Sequence, residues 1–295
     1  MSEKLPQFRT QHTTVQVIGK KVVTGQSHYR QSEQERLFLK TITLPFNHCN
    51  LPSILLASLA YQSIPVPLYI YTLEPWLREF RKSCMKLSSI NDRVEHFHRA
   101  MSERYQVHKP NVCDDGEVSN PSTYRKILIG WLFDSGNQQG AVLRAWVESR
   151  FGLLTRYHNL ELLGPDSDRY DHYASLSGYY SLNSDELFSQ LDFLYYYCQL
   201  ELGTRYSSVD HLTLYRGFST LPTRTINEEP VYLFNNLSSM TEDPELALQF
   251  GTQVVKVDVP RYKIICFDSL LPGTLSGERE YMVLGGLYRG EQLRV

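Results

Sequence analysis

Around Asp210 the spacing of apolar residues changes, and this change constrains the fold more than any other feature of the chain. Ahead of it, apolar residues recur at three- and four-residue steps, the period of a helix face. Val94, Phe97, His98 and Met101 do so within a helix expected from residue 74 to about 105. Val142, Ala145 and Trp146 mark a second helix over 141–151. A third begins at Ser184, whose hydroxyl can cap it, with Asp185 and Glu186 in the first turn, where the helix dipole favours acids. Leu187, Leu191, Leu194 and Cys198 form its apolar stripe, widened by Phe188 and Tyr195. Beyond Asp210, residues 212–217, 254–259, 263–267 and 280–284 read as strands. One short helix lies among them at 244–250, capped by Asp243 and opened by Pro244. The expected fold is α+β, a mainly helical N-terminal portion packed against a C-terminal mixed β-sheet. Its segments are a polar stretch over 1–40, a helical portion over 41–209 and a β-rich part over 210–295; residues 41–295 can equally form one continuous domain. Residues 108–121 read as a loop, and the polar, tyrosine-rich 165–183 as a surface excursion.

Charge and cysteine usage exclude several classes. Thirty basic against 32 acidic side chains leave a formal net charge of -2, so nothing favours a nucleic-acid partner. Cys49, Cys84, Cys113, Cys198 and Cys266 are odd in number and widely spaced. That argues against a disulfide framework or structural zinc and for reduced thiols in the cytoplasm. The first residues lack the pattern of a signal peptide, and the longest apolar stretches, such as 51–60, are too short for a membrane span. His96 and His98 have no third ligand at helical spacing, so no metal site is expected, and His158 and His172 read as surface or pocket histidines. No Gly-x-Gly-x-x-Gly occurs, which excludes a Rossmann nucleotide site.

Three elements of the β-rich part can carry chemistry. Arg216 ends a strand just before Gly217, where a guanidinium can grip a phosphate by two parallel bonds or simply pair with a carboxylate. Ser238 and Ser239 close a strand ahead of the short helix, and their hydroxyls can orient a ligand or a carboxylate. Gly277-Glu278-Arg279-Glu280-Tyr281-Met282-Val283 opens an apolar strand. Alternation would put Glu278, Glu280, Met282 and Leu284 on one face and Arg279, Tyr281 and Val283 on the other. Paired carboxylates suit cleavage of a ribosyl bond, which passes through an oxocarbenium-like state with positive charge on the sugar. Solvated Glu-x-Glu pairs on strand edges are the plain alternative.

An arginine, then Ser-Ser ahead of a helix, then Glu-x-Glu resembles the arginine–serine–glutamate class of mono-ADP-ribosyltransferases. Four segments narrow the similarity to the dinitrogenase reductase ADP-ribosyltransferases of nitrogen-fixing bacteria. They are Ile129-Gly130-Trp131-Leu132-Phe133-Asp134-Ser135, residues 143–152, Leu214-Tyr215-Arg216-Gly217 and Gly277-Glu278-Arg279-Glu280-Tyr281. The similarity runs from about residue 40 onward. It implies an ADP-ribosyltransferase core that binds NAD as donor, through Arg216, Gly217, Ser238, Ser239 and Glu280, with no metal in the chemistry. Arg216 would hold the NAD phosphates. Ser238 would be the leading serine of Ser-Thr-Ser, bracing the catalytic glutamate, and Ser239 would fall at the threonine. Met240 departs from the third position, usually serine. Glu280 would act on the ribose 2′-hydroxyl, and Glu278 would face an acceptor arginine. The implied partners are dinitrogenase reductase (the nitrogenase iron protein) as substrate and a PII-type nitrogen regulator. The helical front and the tyrosine-rich excursion are the candidate surfaces for reading the protein partner. Two other readings stay open: an arginine-specific toxin with another target, and a binding module that senses NAD without turning it over.

Overall fold

The computed structural model describes residues 32–71, 76–105, 107, 111–112, 118–119, 123–158, 161–163, 168–178, 184–220, 223–226, 228–272 and 279–293. The described residues ahead of residue 206 are mainly helical. The helices are α1 (Glu33–Lys40), α2 (Ser53–Leu56), α3 (Leu59–Ser63), α4 (Trp76–Cys84), α5 (Ile90–Tyr105), α6 (Tyr124–Phe133), α7 (Gln138–Phe151), α8 (Asp168–Gly178) and α9 (Ser184–Arg205). Two small antiparallel hairpins join β1 (Asn111–Val112) to β2 (Val118–Ser119) and β3 (Tyr157–His158) to β4 (Glu161–Leu162).

The expected apolar stripe of α9 is buried: Leu187, Leu191, Leu194, Tyr195 and Cys198 all lie in the core. The helix expected over 74–105 is two helices, α4 and α5. Arg93 explains how the break between them is sustained. Its guanidinium donates to the carbonyls of Leu87 and Ser88, both at 3.0 Å, and pairs with buried Glu201 at 2.6 Å. Carbonyls freed by the break thereby keep partners. The tyrosine-rich excursion also differs from expectation. Its described part is α8, and Tyr173 is buried against Ala141 and Leu163. Tyrosine rings supplied the apolar face there that a count of polar residues hides. Of the loop expected at 108–121, the described residues form the β1–β2 hairpin.

The second half is β5 (His211–Phe218), β6 (Thr223–Ile226), β7 (Glu229–Thr241), α10 (Pro244–Ala247), β8 (Gln253–Pro260), β9 (Ile264–Phe267), β10 (Glu280–Tyr288) and β11 (Glu291–Leu293). Asp243 caps α10 as expected, accepting from the backbone of Glu245 and Leu246. Strand order is β11-β8-β5-β7-β10-β9, with β6 also on β7. Every ladder between these strands is antiparallel, so the parallel pairs of a mixed sheet are not among the described ladders. The β5–β7 ladder is a single pair, Tyr215 with Thr241. The sheet is thus two well-paired halves joined at one point, and Arg216 is the next residue along β5.

Lys263 carries a prediction of its own. It is fully buried, donates to the carbonyl of Gly285 at 2.9 Å and faces the Tyr288 ring at 4.4 Å. Burial pushes its amine down to about 7. The unfolded chain holds this proton up to about pH 10.4. Between about pH 7 and 10 the unfolded state therefore binds more protons, and this lysine adds stability as pH rises and loses it as pH falls. Lys263→Met should remove that slope, about 1.4 kcal/mol per pH unit at most. Denaturant unfolding of both proteins between pH 7 and 9 checks it.

Candidate active site

Helix α6 delivers one ring to the sheet. Tyr124, Ile127, Leu128 and Trp131 are its buried residues, spaced as one helical face. Thr123 caps its start. At its end Asn137 does two jobs: its Oδ1 accepts from the Gly140 N–H at 2.8 Å, capping α7, and its Nδ2 donates to the Gly130 carbonyl at 2.7 Å. A single side chain therefore fastens the end of α6 to the start of α7.

Trp131 points at the first residue of β10. Its indole Nε1 donates to Glu280 Oε1 at 2.8 Å and lies 3.2 Å from Ser239 Oγ. Ser239 Oγ also donates to Glu280 Oε1, and Arg216 Nη1 donates to the Ser239 carbonyl. Glu280 and Trp131 are buried, whereas Ser239 and Arg216 are half-buried. Burial holds the Arg216 guanidinium below its usual range, and the charge of Glu280 opposes that shift. Arg144 of α7 lies over the Trp131 ring, its guanidinium carbon 4.8 Å from the centroid. Burial brings Arg144 down to about 10, and burial together with Arg144 brings His158 down to about 4. Of the surface or pocket positions expected for His158, the structure shows a buried one beside Arg144, at 3.4 Å.

Register decides which serine meets the glutamate. On β7 and β10, Ser239 lies opposite Met282 and Ser238 opposite Val283. Ser239 and Thr241 share the face of Glu280, and Ser238 shares that of Tyr281. Ser238 donates instead to the Asn235 carbonyl, at 3.4 Å. The hydroxyl that meets Glu280 is thus that of Ser239, one residue on from the serine expected to brace it, and a one-residue slip on a strand exchanges faces. Counted from Ser239, the run is Ser239-Met240-Thr241, and Met240 takes the middle place.

Gly217 has a structural reason to be glycine: a Cβ there would meet the Ala247 carbonyl at 1.7 Å, so α10 sits directly on the end of β5. Before Glu280 the alternation stops. Strand β10 begins at Glu280, and Arg279 has a φ of 44°, a left-handed conformation in which it lies 3.7 Å from Asp243. The shared face expected for Glu278 and Glu280 therefore does not follow from strand geometry, and Glu278 lies outside the described residues. His96 and His98 each bond a hydroxyl, of Ser83 at 2.7 Å and Tyr124 at 2.9 Å. Sequence reasoning gave no role to Trp131 or Arg144. Their only signal was membership of the segments carrying the family resemblance.

Chemically, the arrangement is a buried carboxylate with two donors on one oxygen, a guanidinium fastened to the adjacent strand, and a half-open hydroxyl between them. Such a carboxylate can bond a sugar hydroxyl and oppose positive charge developing nearby. Comparison with known proteins gives this chemistry a context. The model of the dinitrogenase reductase ADP-ribosyltransferase family matches residues 46–292. A relative from Rhodospirillum rubrum, described as NAD(+)–dinitrogen-reductase ADP-D-ribosyltransferase, is 30% identical over 257 residues, covering 82% of this chain and 92% of its own length. No solved structure gives a significant match.

Proposed function

This chain belongs to the dinitrogenase reductase ADP-ribosyltransferase family, and from that premise we propose that it transfers ADP-ribose from NAD to an arginine of the nitrogenase iron protein, releasing nicotinamide and inactivating nitrogenase. The observation that carries the reading is the meeting of Glu280 with Ser239, beside Arg216, in a chain of that family. The bond from nicotinamide nitrogen to ribose C1′ breaks, and its electron pair leaves with neutral nicotinamide. Positive charge then spreads over the sugar, where Glu280 opposes it and bonds the 2′-hydroxyl. Ser239 holds that carboxylate. Arg216 contributes positive charge for the NAD phosphates. A guanidinium nitrogen of the acceptor attacks C1′ and gives up one proton late, because free arginine holds its proton beyond about pH 12. Glu278 orients that guanidinium and takes the proton.

Family membership alone supports the wider reading, in which the protein works in the cytoplasm, answers to a PII-type nitrogen regulator and uses no metal in its chemistry. Splitting the two glutamates tests the assignment of roles. Glu278→Gln should keep nicotinamide release from NAD while cutting the adduct on arginine by about tenfold or more. Nicotinamide assay and mass spectrometric mapping on the iron protein read the two quantities. Equal loss of both would remove the separate role of Glu278.

A further inference from the structure

We propose that Trp131 is a positioning residue for the catalytic carboxylate, its indole N–H fixing the rotation of Glu280 and favouring its charged form. The inference rests on the reading of Glu280 given above. An indole N–H donates and cannot accept, so a buried tryptophan must find an acceptor. Core tryptophans usually settle on a backbone carbonyl or a structural acid, as Trp146 does with Asp192 at 2.8 Å. Trp131 directs its single donor at Glu280, at 2.8 Å, with Ser239 Oγ the longer second acceptor at 3.2 Å.

Glutamate needs such help here. Its terminal torsion is broad and roughly two-fold, so the backbone alone does not set which way the carboxylate plane faces. Glu280 is also the first residue of β10, directly after the left-handed Arg279. Two donors on Oε1, one from α6 and one from β7, remove that freedom. A donor to the charged form also lowers the carboxyl's affinity for a proton.

Trp131 is itself held by parts that no other step uses. Arg144 lies over its ring at 4.8 Å and donates to the Ser135 carbonyl, in the turn after α6. The Arg144 carbonyl accepts from Asn236 Nδ2 at 3.0 Å, and Asn236 lies on β7, three residues before Ser239. The ring, the serine and the glutamate are therefore tied to one frame. Arg144 acts through Trp131 and is a positioning residue at one remove.

Trp131→Phe keeps the ring and removes the donor. The test uses the full chain with NAD and the nitrogenase iron protein, and reads nicotinamide release against pH. The expected result is a 10- to 100-fold fall in kcat, the loss of roughly one hydrogen bond to a charged group. The KM for NAD should hold, and the acid limb of the kcat profile should move to higher pH. Trp131→His returns a ring N–H and should recover part of the loss. A Trp131→Phe protein with wild-type kcat and an unmoved acid limb overturns the proposal while leaving the function intact. Failure of both variants to fold also overturns it, because Trp131 is then a core residue first. Absence of nicotinamide release from the wild type would sink the proposed function itself.

Discussion

Glu280→Gln should lower nicotinamide release by about a thousand-fold or more while leaving the melting temperature close to that of the parent. Glutamine has nearly the same shape, and its amide oxygen can still accept from Trp131 and Ser239, so local packing survives. What disappears is the negative charge. Opposing charge in a buried, preorganised site is where an enzyme stabilises a cationic transition state most, because no solvent has to reorganise. Glu280 is 7% exposed, and Trp131 and Ser239 both donate to its Oε1, so the geometry is set before substrate arrives. Turnover within tenfold of wild type in Glu280→Gln would end the assignment of this carboxylate.

The second large effect is a contrast between adjacent serines. Ser239→Ala removes a hydroxyl that donates to Glu280 and should lower kcat by about 10- to 100-fold. Ser238→Ala removes a hydroxyl that meets the Asn235 carbonyl at 3.4 Å on the opposite face. It should leave kcat near wild type and cost stability by about 1 kcal/mol or less. The reverse ranking would mean that the leading serine is Ser238 and that the register of β7 against β10 differs from the one described.

This contrast also shows where sequence reading stopped. Apolar patterning located the long helix α9, whose stripe is buried, and the strands near 212–217, 254–259, 263–267 and 280–284, of which the last two are buried along their whole length and read as continuous apolar runs. Arg216, the serine pair and Glu280 stood out through their order along the chain. Which serine faces the glutamate did not, since adjacent strand residues differ only in face and the pairing partner fixes that. Helix α8 was hidden because tyrosine supplied its buried side. Trp131 was invisible for another reason. It comes from a helix 149 positions away from Glu280, and only the packing of α6 on the sheet brings the two within 2.8 Å. A lone tryptophan in an apolar helix has the same sequence signature as any core residue.

The most direct test of the proposed transfer adds NAD labelled in its adenylate half, with the purified protein, to extract of nitrogen-fixing cells. One labelled band is expected, the nitrogenase iron protein, with one nicotinamide released per label and no band with Glu280→Gln. NAD bound without nicotinamide release, or label spread over other proteins and absent from the iron protein, would contradict it.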